Sequence, residues 1–412
     1  LDAADRDALL ISLTDEVGEL VLADNIAQNA ELGCARSWAD EEADLYARLL
    51  DRLATGGVDL ALEALPTGTE LMERRSGALG RGLTSPELAT VMAHVKLGAK
   101  ADLAGSALLD GEFYSPLVQA YFPDPLAQRF AAGISGHRLR REIAATMLIN
   151  QIVDDAGMTY LFRMTEATTA GTQDAVRAYT VTAQVFGISP LIARLRAEPA
   201  PVAVVDAMTM RVRELIARAS RWFLEHRPQP LPVAAECRRY RRVAELGAHI
   251  DDWARPTIAA ALDRVTDELM ADGVEPVLAR MVARCPYRLH LLDVLDIAEI
   301  ADREVAEVGD LAFAVLERFD IDLLLEQVNG LERADRWQLL ARLALRDELY
   351  TLVRAITLAI LRLCEPGESS EAMIADWEAG RSAVLGRVRG TLDELAHGEP
   401  PGVAGLTVAV RA

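Results

Sequence analysis

Four residues in one short stretch have the types and spacing to do chemistry: His137, Arg138, Arg140 and Arg141, within GHRLRREIAATMLINQIVDDAG. Guanidinium groups gathered at a helix start, where unpaired backbone N–H groups and the helix dipole favour negative charge, could hold a small anionic effector or the acidic face of a neighbouring domain. The same arginines could instead tie their helix to acidic neighbours such as Asp154, Asp155 or Glu166. Both readings stay open on the sequence alone.

Nothing else composes a site. His94, His226, His249, His290 and His397 lack metal-ligating spacing such as HExxH. Cys34, Cys237, Cys285 and Cys364 lie far apart with no CxxC, and read as small core residues of a protein in a reducing cytosol. The glycines of SGALGRG, residues 76–82, follow no strand and have no phosphate-loop spacing, so they read as a plain loop. No GxSxG elbow is present. The sequence therefore nominates no catalytic, cofactor-binding or metal-ligating residue.

The elements around that stretch are helical. Leu139, Ile143, Thr146, Asn150 and Val153 share one face of a helix expected over 137–156, with Leu148 and Ile152 opposite. A helix apolar nearly all round belongs at the centre of a helical domain. Ahead of it, Thr84 and Glu87 have capping-box spacing with Pro86 in the first turn, and an apolar stripe runs from Leu88 to Leu103. Leu9, Leu13, Val17, Leu20 and Val21 predict one or two amphipathic helices within residues 5–32. After Thr172–Phe186, stopped by Gly187, a long helix is expected from about Ala203 to His226. The three prolines of RPQPLP, 227–232, break the chain there. Further helices follow, including one from about Ala372 to His397, before a short apolar tail.

Composition agrees. The chain has 412 residues, 51% hydrophobic but only 5% aromatic, and Ala, Leu, Glu and Arg dominate. The expected fold class is all-α, an irregular multi-helix array in two helical subdomains. A formal net charge of −20 repels phosphate backbones and anionic lipid heads, which argues against nucleic acid and membrane partners. Only Lys96 and Lys100 among the 43 basic residues are lysines. The chain opens at Leu1 inside a helical pattern, which suggests a piece of something longer.

Several long stretches resemble one family. GLTSPELATVMAHVKLGAKADL (82–103), YFPDPLAQRF (121–130), GHRLRREIAATMLINQIVDDAGMTYLFRM (136–164), AYTVTAQVFG (178–187), RWFLEHRP (221–228) and DRWQLLARLALRDELY (335–350) resemble the C-terminal region of the large bacterial NAD-dependent glutamate dehydrogenases. The resemblance implies oxidative deamination of L-glutamate with NAD as hydride acceptor, in a cytoplasmic homo-oligomer. It also implies that the catalytic lysines and the NAD site belong to a catalytic domain of the same polypeptide, upstream of Leu1, so no site residue carries over to this chain. On that basis 1–80 is a helical segment following the dinucleotide-binding domain, 81–226 a central helical domain and 233–412 a C-terminal helical domain, serving structure, assembly or regulation. The alternative is a free-standing helical scaffold that binds partner proteins.

Overall fold

The structure, a computed structural model, describes residues 2–78, 80–331, 336–397 and 402–411. Among the described residues every regular element is an α or 3₁₀ helix and there is no strand. No described helix is long and apolar enough to cross a membrane. Packing divides the chain into two compact units, residues 1–238 and 239–412.

The first unit is built round the Arg140–Ala156 helix, which packs against Thr14–Trp38, Ser85–Ala104, Ser115–Ala120, Ile188–Ala197 and Val202–His226. Ile149, Ile152 and Val153 are essentially inaccessible to solvent. Each such side chain contributes about 1.5–3 kcal/mol through removal of its apolar surface from water. The helix starts at Arg140 rather than at His137, because residues 138–139 form a turn, and Leu139 stands exposed. It ends at Gly157, whose φ of +89° and ψ of 154° suit glycine alone.

Local signals set the neighbouring helices. Glu87 accepts the Thr84 N–H at 2.7 Å, closing the expected capping box before Ser85–Ala104, and Arg74 pairs with the same carboxylate at 2.9 Å. Burial would raise the Glu87 pKa, but the bonds from Arg74 and Thr84 hold it below the usual carboxylate value. Gly187, at φ +63°, closes Thr172–Phe186 in the left-handed region. In the 76–82 segment, of which Leu79 lies outside the described residues, Gly82 allows a close approach: a Cβ there would fall 2.0 Å from the Ala39 carbonyl oxygen. The Gly82 N–H instead donates to Asp40 Oδ1 at 2.6 Å.

The second unit is centred on Val305–Arg318, packed by Ile250–Trp253, His290–Ala301, Ile321–Gly330, Arg336–Leu361 and Ser370–Ala379. The segment expected as one helix over 372–397 is two, Ser370–Ala379 and Ser382–His397, broken at Gly380. The apolar tail is also helical, Val403–Arg411, and packs on Arg336–Leu361. Its sequence is too short to mark a helix on its own, so tertiary packing decides it.

Candidate functional site

Of the four residues singled out by type, two meet at one carboxylate. Arg140 Nη2 lies 2.7 Å from Asp110 Oδ1, Arg141 Nε donates to the same oxygen at 2.8 Å, and Arg141 Nη2 also bonds Asp110. One carboxylate thus engages both guanidinium groups, and hydrogen bonding from Arg141 holds the Asp110 pKa below its ordinary value. The acidic neighbour is Asp110, whereas Glu166 is held by Arg48 at 2.7 Å. His137 Nδ1 accepts the Leu139 N–H at 3.1 Å, and its ring lies 5.9 Å from that of Phe122. Arg138 is exposed.

The densest polar chemistry in this unit lies at the other end of the same helix. Arg213, 7% exposed, projects from Val202–His226 and forms an ion pair with Glu31, 1% exposed, on Thr14–Trp38. Its Nε donates to the Asp155 carbonyl at 3.3 Å and its Nη2 to the Asp154 carbonyl at 3.2 Å. Those carbonyls belong to the last turn of Arg140–Ala156, where no intrahelical partner exists and the dipole favours a cation. Glu31 Oε1 accepts the Met158 N–H at 2.7 Å just beyond the helix end. Arg196 donates to the Asp154 carbonyl at 2.7 Å as well. Three helices are thereby joined at one buried charge pair.

Beside it, the Asp155 carboxylate accepts from Tyr179 Oη at 2.7 Å and Ser189 Oγ at 2.6 Å. Asp154 is less well served: its buried Oδ1 finds no partner, and burial pushes its pKa up to about 6 against the opposing pull of Lys96 and Arg196. Arg213 would titrate lower from burial alone, but the charge and hydrogen bond of Glu31 together with the neighbouring Cys34 and Tyr46 outweigh this and raise its pKa.

This cluster joins helix ends through a buried ion pair. The cavity beside it, bounded by Glu31, Cys34, Trp38, Tyr46 and Arg213, has a volume of about 20 Å³, room for one water molecule. Burial raises the Cys34 thiol to about 11 and the Tyr46 phenol well above its ordinary value, so neither is poised as a nucleophile near neutral pH. In the second unit a groove of about 310 Å³ runs past Arg239, Tyr240, Arg242, Asp296, Glu299 and Arg303. Two of its three guanidiniums are engaged: Arg239 by Asp296 at 3.2 Å and Glu299 at 2.6 Å, and Arg303 by Glu307. Among the described residues no group of three or more His, Cys, Asp or Glu side chains could hold a metal ion.

Sequence reasoning passed over Glu31 and Arg213. One signal was available, since Asp206, Arg213 and Ser220 recur every seventh residue on the otherwise apolar buried face of their helix. Each reaches a different partner: Asp206 accepts from Ser37 at 2.6 Å, Arg213 pairs with Glu31, and Ser220 bonds Thr182 at 3.2 Å.

Comparison with known proteins places this architecture. The chain is 44% identical over 411 residues to the NAD-specific glutamate dehydrogenase of Mycobacterium tuberculosis, covering 99% of this chain and 25% of that protein. The NAD-specific glutamate dehydrogenases of Pseudomonas aeruginosa and Halomonas elongata are 32% and 30% identical, each over 98% of this chain and 25% of their own length. The chain thus spans a quarter of the length of these relatives. The family model described as glutamate dehydrogenase, C-terminal, matches residues 80–412. With most of its length inside that match and the rest aligned to the same relatives, the chain belongs to the glutamate dehydrogenase C-terminal family.

Proposed function

We propose that this chain is the C-terminal helical part of a longer NAD-dependent glutamate dehydrogenase, and that it serves structure, assembly or control while the chemistry is done elsewhere in the polypeptide. The reaction of the whole enzyme is L-glutamate, NAD and water to 2-oxoglutarate, ammonium, NADH and a proton, the hydride passing from the glutamate Cα to the nicotinamide. The carrying observation is the match of nearly the whole chain to only a quarter of each relative, through a C-terminal family model. Two further features support the reading. The described residues form helices only, whereas dinucleotide-binding folds place the cofactor at the carboxyl ends of parallel strands. The buried titratable groups are committed to helix ends and to one another rather than to a ligand-sized cavity. Cytoplasmic location and homo-oligomeric assembly belong to the same proposal.

Titration of NAD into the isolated 412-residue chain and into the full-length enzyme tests it. Saturable binding is expected only for the full-length enzyme, and saturable binding by the isolated chain would place the cofactor site within these residues.

A further inference from the structure

From Asp2 to Ile26 the chain forms a helical arm, Ala3–Ser12 followed by the first half of Thr14–Trp38, in which Leu13 is the one buried side chain. Leu10, Ile11, Val17, Val21, Leu22 and Ile26 are each 45–76% exposed. Burial of the long helix resumes at Glu31, Cys34 and Ala35, so a continuous helix runs from the buried node into solvent. Glu16 accepts the Asp124 N–H at 2.6 Å, but the large aliphatic side chains beside it stay exposed. A helix of about 13 residues so thinly covered is marginal in water, and a row of exposed large aliphatics marks a surface that something covers.

The occupant can be argued. The arm carries Asp2, Asp5, Asp7, Asp15, Glu16, Glu19 and Asp24 against the single Arg6. Two copies laid arm to arm would set seven carboxylates against seven, and an anionic lipid surface would repel them as well. The arm also lies ahead of residue 80, where the C-terminal family model begins. In the relatives, three quarters of the polypeptide lies outside the matched quarter.

We infer that the 2–26 arm is a docking element, covered by the portion of its own polypeptide that precedes it in the longer enzyme, in an apolar groove rimmed by basic side chains. This rests on the proposal that the chain is the C-terminal part of such an enzyme. The arm is then both a linker and a wedge: its aliphatic side chains fill the groove, its carboxylates meet the basic rim, and the unbroken helix carries its position to the Glu31–Arg213 pair.

The test is made in the full-length enzyme, with a photo-crosslinking amino acid placed at Val21 and the products mapped by mass spectrometry. Expected are products of single-subunit mass joining residue 21 to sequence upstream of residue 1. A product of twice the subunit mass, or links confined to residues 27–412, would overturn the assignment. Amide exchange gives a second reading, since residues 14–26 should exchange at least tenfold more slowly in the full-length enzyme than in the isolated chain, and equal rates would sink the idea. The substitution pair Val17→Asp and Val21→Asp should lower the melting temperature of the full-length enzyme and leave that of the isolated chain unchanged. Should the full-length enzyme be active while its arm stays unprotected, the docking inference fails alone. Should the upstream polypeptide carry no glutamate dehydrogenase activity, the functional reading fails first.

Discussion

Replacing Arg213 by Met removes the cation at the centre of the first unit while keeping a side chain of similar length. Glu31 is then left 1% exposed with the Met158 N–H as its hydrogen-bond donor, and the Asp154 and Asp155 carbonyls lose the guanidinium that caps them. Breaking a buried ion pair by removing one partner costs about 3–5 kcal/mol, most of it the penalty of an unpaired charge in a medium that solvates it poorly. That is a large share of the roughly 5–15 kcal/mol that holds a domain together. The stranded carboxylate can escape by taking up a proton, which gives the loss a signature. In the variant the folded state binds a proton more readily than the unfolded state, so stability falls as pH rises, by at most about 1.4 kcal/mol per pH unit. Because the chain has two compact units, a global transition is a poor readout, and native-state amide exchange of the Arg140–Ala156 helix reports on the first unit directly. Arg213→Met should lose about 3–5 kcal/mol of protection at pH 7.5 and less at pH 5. Adding Glu31→Gln, which removes the charge and keeps an acceptor for Met158, should restore more than half of the loss. A loss below about 1 kcal/mol, or strict additivity of the two substitutions, would refute the idea of a coupled buried node.

Other consequences follow from single residues. Asp154, with its pKa raised by burial to about 6, keeps its proton in the folded state at pH values where the unfolded chain has released it. Its contribution is therefore favourable below about pH 4 and is lost as pH rises to about 6, at most about 3 kcal/mol. Asp154→Asn should raise the amide-exchange protection of the Arg140–Ala156 helix at pH 7.5 and leave it nearly unchanged at pH 4; equal gains at both would show that the carboxylate charge is not the cause. Cys34 is buried and Cys237 half-buried, and both thiols are pushed up to about 11, so a thiol reagent at pH 7.5 should label them slowly until denaturant is added. Rapid labelling of Cys34 in the native protein would contradict its place in the core. In the second unit, a Cβ on Gly309 would come within 2.6 Å of the Trp253 ring, so Gly309→Ala should cost about 1–3 kcal/mol by forcing that contact apart. Amide exchange in Val305–Arg318 measures it, and an unchanged rate would mean that the ring yields freely.

Much of the fold could be read from residue types because the signals are local. Thr84 and Glu87 lie one turn apart, and Gly187 ends a helix through its own φ, so the residues that decide these features are neighbours in sequence. The helix start at Arg140 was misjudged by three residues, since the side chains of His137 and Arg138 suit a first turn as well as the turn that precedes it. The node was not read at all. Glu31 and Arg213 are 182 residues apart, and no periodicity relates positions on separate helices. The partner of Arg140 and Arg141 was missed for the same reason, because an acidic chain offers many carboxylates and only the packing selects Asp110. Exposure of Val17 and Val21 is the reverse case. Their apolar spacing announces a face that packs, yet among the described residues they stand 45% and 55% exposed.

The central claim is that this helical chain supports an enzyme whose reacting groups lie outside it. The most direct measurement is glutamate-dependent NADH formation by the purified 412-residue chain, beside the full-length enzyme at equal molar concentration. The account predicts turnover by the full-length enzyme and none above background by the chain alone. Glutamate-dependent turnover by the isolated chain would contradict it.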